Sequence, residues 1–100
     1  MNKLIARLKS KIEAKERILN GSIVRQYKQC GKTNCRCYES EDHWHGPYLI
    51  WTRKENGKTI TRTLNKTQAV AVKKAIKEMK ELNQIIERWK ALSLKEIEKL

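Results

Sequence analysis

All three cysteines and both histidines of this 100-residue chain fall within sixteen residues, in the run Cys30-Gly-Lys-Thr-Asn-Cys35-Arg-Cys37 followed by His43-Trp-His45-Gly-Pro-Tyr48. Three thiolates and one imidazole make the tetrahedral donor set that structural zinc prefers, so zinc is the predicted cofactor and Cys30, Cys35, Cys37 and His45 its predicted ligands. Gly31 and Asn34 lie between the first two cysteines, where a turn tolerant of positive φ folds the thiolates toward one point. His45 is preferred to His43 as the fourth ligand. It precedes Gly46-Pro47, a rigid turn that places it by backbone, whereas His43 sits beside Glu41 and Asp42. The single-residue gap in Cys35-Arg-Cys37 is tighter than the two-residue gap of common zinc fingers, and no finger class is assigned. An odd number of cysteines, together with an N-terminus lacking the pattern of a signal peptide, favours metal ligation in a reducing cytoplasm over disulfides.

The elements that must carry this cluster follow from periodicity. Lys3 to Leu19 places Ile5, Leu8, Ile12 and Leu19 at helical spacing, and Asn20-Gly21 reads as its stop. Ser22 to Gln29 alternates as a strand and runs into Cys30. Tyr48 to Lys54 and Lys58 to Leu64 are β-rich runs joined at Glu55-Asn56-Gly57, a hairpin signal. Two registers satisfy that signal. A two-residue Asn56-Gly57 turn pairs Arg53 with Ile60; a three-residue loop with Gly57 left-handed pairs Ile50 with Arg62 and Thr52 with Ile60. The second is preferred, because it gathers Tyr48, Ile50, Ile60 and Leu64 on one apolar face and leaves Thr59, Thr61 and Thr63 on the other with Trp51 and Arg53.

From Lys66 to about Leu92 the pattern is helical, with Ala69, Val72, Ile76, Met79, Ile86 and Trp89 on a stripe that Leu82 and Ile85 broaden, and with Asn65 or Thr67 as cap. Ser93 followed by Glu96 reads as a capping box opening a short last helix, Leu94 to Leu100. The predicted fold is α+β: an N-terminal helix (1–20), a three-stranded antiparallel sheet with a zinc knuckle (21–65) and a long C-terminal helix with its short terminal helix (66–100), forming a single domain. A helix of roughly 40 Å is long for so small a domain, and part of it is expected to meet a partner chain, most simply in a homodimer. No run of eighteen apolar residues exists, and no membrane partner is expected.

Composition supplies the partner. Lys and Arg number 23 against 11 Asp and Glu, a formal charge of +12. The excess is spread along the chain, at +4 over residues 1–20 (six basic, two acidic), +5 over 21–66 (nine and four) and +3 over 67–100 (eight and five). A folded domain charged this evenly attracts polyanions, and nucleic acid is the first candidate, DNA ahead of RNA. Arg25, Lys28, Lys32 and Arg36 around the knuckle, with Arg53, Lys58 and Arg62 on the hairpin, are the candidate phosphate contacts. Trp51 is the sharpest candidate for base stacking, ahead of Tyr27, Tyr38 and Trp44. No helix-turn-helix, RNA-recognition or two-Cys two-His pattern is present, so no sequence specificity is assigned. Nor is there a phosphate-cradling glycine loop, a nucleophile with its base, or a paired acidic set, and an enzyme is not expected.

Gly21-Ser22 leading a short strand, then Cys-Gly-Lys-x-Asn-Cys-Arg-Cys, then His-Gly-Pro-Tyr and a hairpin carrying Gly-Lys-Thr, resembles a family of small prokaryotic domains of unknown function often found near mobile-element or phage genes. The resemblance covers about residues 21 to 92. It implies a shared fold and a common cluster at Cys30, Cys35, Cys37 and His45, with His43 outside the pattern, and it points toward mobile-element, phage or host-defence biology. Together with the charge, it leads to a zinc-stabilised basic nucleic-acid-binding module serving a mobile element or phage. The alternative is a protein-interaction module or inhibitor that binds a nucleic-acid-processing enzyme.

Overall fold

The computed structural model describes residues 2–32 and 34–100. Along the chain run α1 (Lys3–Glu13), β1 (Ser22–Lys28), two single-turn 3-10 helices (Arg36–Tyr38 and Glu41–His43), β2 (His45–Glu55), β3 (Lys58–Leu64) and α2 (Lys66–Glu98). The three strands form one antiparallel sheet in the order β1-β2-β3, so the α+β class and its element order are those expected from periodicity. Two compact units result, one of Gly21–Lys73 and one of the residues up to Asn20 with Lys74–Leu100.

In the sheet unit, β2 and β3 turn through Asn56 (φ 50) and Gly57 (φ 77) alone, so Glu55 pairs with Lys58 and Arg53 with Ile60. This is the two-residue register and not the three-residue loop preferred from apolar grouping. Two successive positive-φ residues match the right-handed twist of the strands, and Asn-Gly is the pair that adopts them at least cost. The consequence is a regrouping of the faces. One face carries Leu49, Trp51, Arg53 and Glu55, with Ile23 and Arg25 opposite on β1 and Ile60, Arg62 and Leu64 on β3. The other carries Tyr48, Ile50, Thr52 and Lys54, with Val24 and Gln26 on β1 and Thr59, Thr61 and Thr63 on β3. Trp51 and Leu64 on the first face are buried, as are Ala69 and Val72 at the start of α2 and Cys37 in the knuckle. Thus Trp51 shares its face with Ile60 and Leu64 and not with the threonines.

Asn65 caps α2 by accepting from the Gln68 amide at 2.8 Å while the Gln68 side chain accepts from the Asn65 amide at 3.1 Å. That reciprocal pair is a capping box, and it selects Asn65 over Thr67.

In the other unit, α1 is capped by Asn2, whose side chain accepts from the amides of Leu4 (2.8 Å) and Ile5 (3.2 Å). The helix ends at Glu13, with Ala14 as its C-cap, and not at Leu19. From Lys15 to Asn20 the chain forms neither helix nor strand. The Lys15 ammonium is drawn to Glu78 (2.6 Å) and Glu81 (2.9 Å) of α2, and the Leu19 amide donates to the Ala75 carbonyl. Hydrogen bonds from Lys15 to the two carboxylates raise its pKa and hold that of Glu81 down. Lys9 lies 5.3 Å from the Trp89 ring centroid, so α1 runs antiparallel to α2. Ile5, Leu8, Ala75 and Ile85 are buried here, while Ile86, assigned to the buried stripe from spacing, lies at the exposed side of it. No second helix opens at Ser93, because α2 is continuous for 33 residues. Nothing between Lys90 and Glu98 breaks a helix, and a serine costs too little within one to end it.

Candidate metal centre

β1 delivers Cys30 and β2 begins at His45, so the metal donors lie where two neighbouring strands meet. The pairing is regular from Ser22↔Thr52 to Gln26↔Tyr48, then shifts so that Lys28 pairs with His45. The extra residue lies on β2, where Gly46 and Pro47 stand opposite Tyr27 alone. Gly46 makes the approach possible: a Cβ there would stand 2.7 Å from the Gln26 carbonyl oxygen and 3.0 Å from the Tyr27 ring. Between the strands, the first 3-10 turn starts immediately after Cys35 and buries Cys37 completely.

The donor atoms of Cys30, Cys35, Cys37 and His45 all lie within 4.8 Å of one another. The Cys30 and Cys37 sulfurs are 3.6 Å apart, and the Cys35 sulfur is 3.3 Å from His45 Nε2. Ligands held at zinc-like distances around one tetrahedral centre are separated by about 3.8 Å for two sulfurs and about 3.5 Å for sulfur and nitrogen. A disulfide needs about 2.05 Å, so all three cysteines are free thiols, and the two short separations are close to the edge lengths of a coordination tetrahedron. The residues fit a metal ion. Bound, it would cross-link the end of β1, the knuckle and the start of β2.

The surroundings prepare these donors. The Cys30 amide points at the Cys37 sulfur (3.3 Å), the Tyr38 hydroxyl donates to the Cys30 carbonyl, and the Gln29 amide group donates to the Cys37 carbonyl (3.4 Å). The Cys37 amide, followed by the side chains of His45, Cys37 and Cys30, lowers the Cys35 thiol to about 6. Burial pushes the Cys37 thiol up. Cys35 is therefore a thiolate at neutral pH, and a metal arriving there would displace the proton of Cys37. His43 is turned elsewhere, with Nδ1 2.9 Å from the Ser40 hydroxyl.

A family model for a domain of unknown function, DUF6788, matches residues 1–81. The chain belongs to that family. No curated protein and no solved structure matches it. The DUF6788 region contains the whole cluster and takes in α1, which the motif resemblance of about 21 to 92 leaves out, and it ends within α2.

Around the centre of this DUF6788 domain, Lys28, Lys32 and Arg36 are exposed, as are Arg25, Lys58 and Arg62 on the edge strands. Arg36 opens the 3-10 turn between two of the donors. Arg53 is differently engaged, its guanidinium 4.2 Å from the Trp51 ring centroid and its Nε 3.5 Å from Glu55. Trp51 is only 7% exposed, so its indole belongs to the core and offers no surface for a base. Tyr27 and Tyr38 are 52% and 45% exposed, and on the sheet face opposite Trp51 strand parity places the half-buried Tyr48, with the Lys28 ammonium 4.8 Å from its ring centroid. The three-residue register hid it by assigning Tyr48 to the apolar face; the Asn-Gly turn, taken at its shortest, would have found it.

Proposed function

We propose that this DUF6788 protein is a zinc-stabilised, non-enzymatic nucleic-acid-binding module of the prokaryotic cytoplasm, serving a mobile element or phage. The observation that carries it is a formal charge of +12 on a chain of 100 residues with Lys28, Lys32 and Arg36 exposed beside the Cys3His cluster. Zinc is the metal of choice for three soft thiolates and an imidazole at tetrahedral separations. Its role is structural, holding Arg36 between two ligands so that a phosphate contact costs little backbone entropy. The mobile-element setting is supported by the motif resemblance. A second copy of the chain is the proposed protein partner, through the C-terminal part of α2, where Leu94 and Ile97 stand 57% and 63% exposed. No helix among the described residues is long and apolar enough to cross a membrane.

The test has two arms. Elemental analysis is expected to give about one zinc per chain, and Cys35→Ser to lose both metal and fold; full stability after chelation with no metal present would refute the zinc assignment. Fluorescence anisotropy of duplex DNA, single-stranded DNA and RNA across a salt series is expected to show tight binding to one form. Its logarithmic salt slope for four to five neutralised phosphates would be about −4 on a duplex and about −3 on a single strand. Weak, form-blind binding that vanishes near physiological salt would instead favour a protein-binding inhibitor of a nucleic-acid enzyme.

A further inference from the structure

We infer that the open face of the sheet, centred on Tyr48 and Ile50, is the binding platform for a single-stranded nucleic acid; the inference deepens the nucleic-acid reading above and rests on it. Three properties of that face carry it. It is open at its edges and half-buried at its centre: Val24 is 51% exposed, Thr61 and Thr63 on the opposite edge strand are exposed as well, and Tyr48, Ile50 and Thr52 between them are half-buried. It carries no carboxylate at any position. Of the four acidic residues between Gly21 and Lys73, Glu39, Glu41 and Asp42 lie in the knuckle, and Glu55 lies on the other face with Arg53. It also carries the right groups. Tyr48 offers an aromatic ring with one face covered by the Lys28 ammonium, 4.8 Å from the centroid, and the other left for a base; Ile50 and Val24 offer an apolar ground, and the threonines hydroxyls that both donate and accept.

These groups match what a single strand presents. Unpaired bases have apolar π-faces that stack on tyrosine and lie on aliphatic carbon, edges that bond hydroxyls, and a phosphate chain that seeks lysine. A duplex matches them less well, because its bases are stacked on one another and present only their edges in the grooves. From Lys28 the positive track continues into the knuckle through Lys32 and Arg36, so a strand lying on the face leaves it over the metal centre.

The experiment uses the zinc-loaded full chain with labelled dT12, U12 and a 12-base-pair duplex. Single strands are expected to bind at least about tenfold more tightly than the duplex. The double variant Thr61→Glu, Thr63→Glu is expected to weaken single-strand binding by about tenfold or more, while Lys95→Gln, Lys99→Gln, which changes net charge equally, weakens it less than about twofold. Tyr48→Ala is expected to lose about tenfold. Photocrosslinking of an iodouridine oligonucleotide to the wild-type chain, mapped by mass spectrometry, guards against misfolded variants and is expected to place the adduct at Tyr48. Single-strand binding that the two double variants weaken equally, or adducts confined to Tyr38, Trp44 or α2, would overturn the platform and leave the nucleic-acid reading standing. Absence of binding to all three probes would overturn both.

Discussion

Replacing Trp51 by alanine separates a core indole from a base-stacking one. With 7% of the residue exposed, about 200 Å² of surface is withdrawn from water, which at about 25 cal/mol per Å² amounts to roughly 5 kcal/mol. Residual compactness of the unfolded chain reduces this to about 3–4 kcal/mol, in line with the usual cost of about 3–5 kcal/mol for deleting a buried aromatic. The Arg53 guanidinium stacked on the ring at 4.2 Å loses its platform in addition. Urea unfolding of the zinc-loaded protein, followed by far-ultraviolet circular dichroism so that loss of a fluorophore does not distort the signal, is expected to show a midpoint about 2–3 M lower. Val24→Ala, on the open face and 51% exposed, is the comparison, with a loss below about 1 kcal/mol. If Trp51→Ala costs less than about 1 kcal/mol at an unchanged denaturant slope, the indole is not in the core and the two-residue register is wrong.

Three further outcomes follow from the same geometry. Gly57→Ala, at φ 77 with open space around a Cβ, is expected to cost about 1–2 kcal/mol from backbone strain alone, whereas Gly46→Ala also meets the Gln26 carbonyl and is expected to weaken metal binding by about tenfold or more; equal metal affinity in the two variants, by competition with a chromophoric chelator, would contradict the close approach. In the metal-free chain Cys35 sits at about 6 against an ordinary thiol value of 9.0; because the folded value is depressed, its contribution to stability is complete above pH 9 and is lost as pH falls through 6. Iodoacetamide is accordingly expected to label Cys35 first, half-maximally near pH 6, and to spare buried Cys37, while equal rates at all three thiols would refute the environments described. Ile97→Glu is expected to convert a dimer to a monomer in analytical ultracentrifugation without altering zinc content, and a monomeric wild-type chain would remove the second-copy proposal.

The donor set was legible because it is local. Cys30, Cys35, Cys37 and His45 lie so near in sequence that a turn at Gly31 and Asn34 and the entry of one strand suffice to gather them, and the rigid Gly46-Pro47 step singles out His45. The strands and long helix were legible from period, and the hairpin from Asn56-Gly57. The Asn2 cap was equally open to inspection, since an asparagine directly before an amphipathic run is its own signal. The hairpin register was not, because both loop lengths put Gly57 at positive φ and the apolar residues can be grouped on either face; burial of Trp51 beside Leu64 decides between them. Nor was the end of α1. Ile18 and Leu19 keep helical spacing, but Lys15 finds its two carboxylates 63 and 66 residues away, and the amide of Leu19 its carbonyl at Ala75, distances that no local pattern encodes. Sequence by itself determined the metal donors, the charge and the kinds of element, all of which act over a few residues. Only the tertiary structure decided which sheet face carries the buried Trp51 and Leu64, because that choice depends on how well side chains far apart in the chain exclude water together.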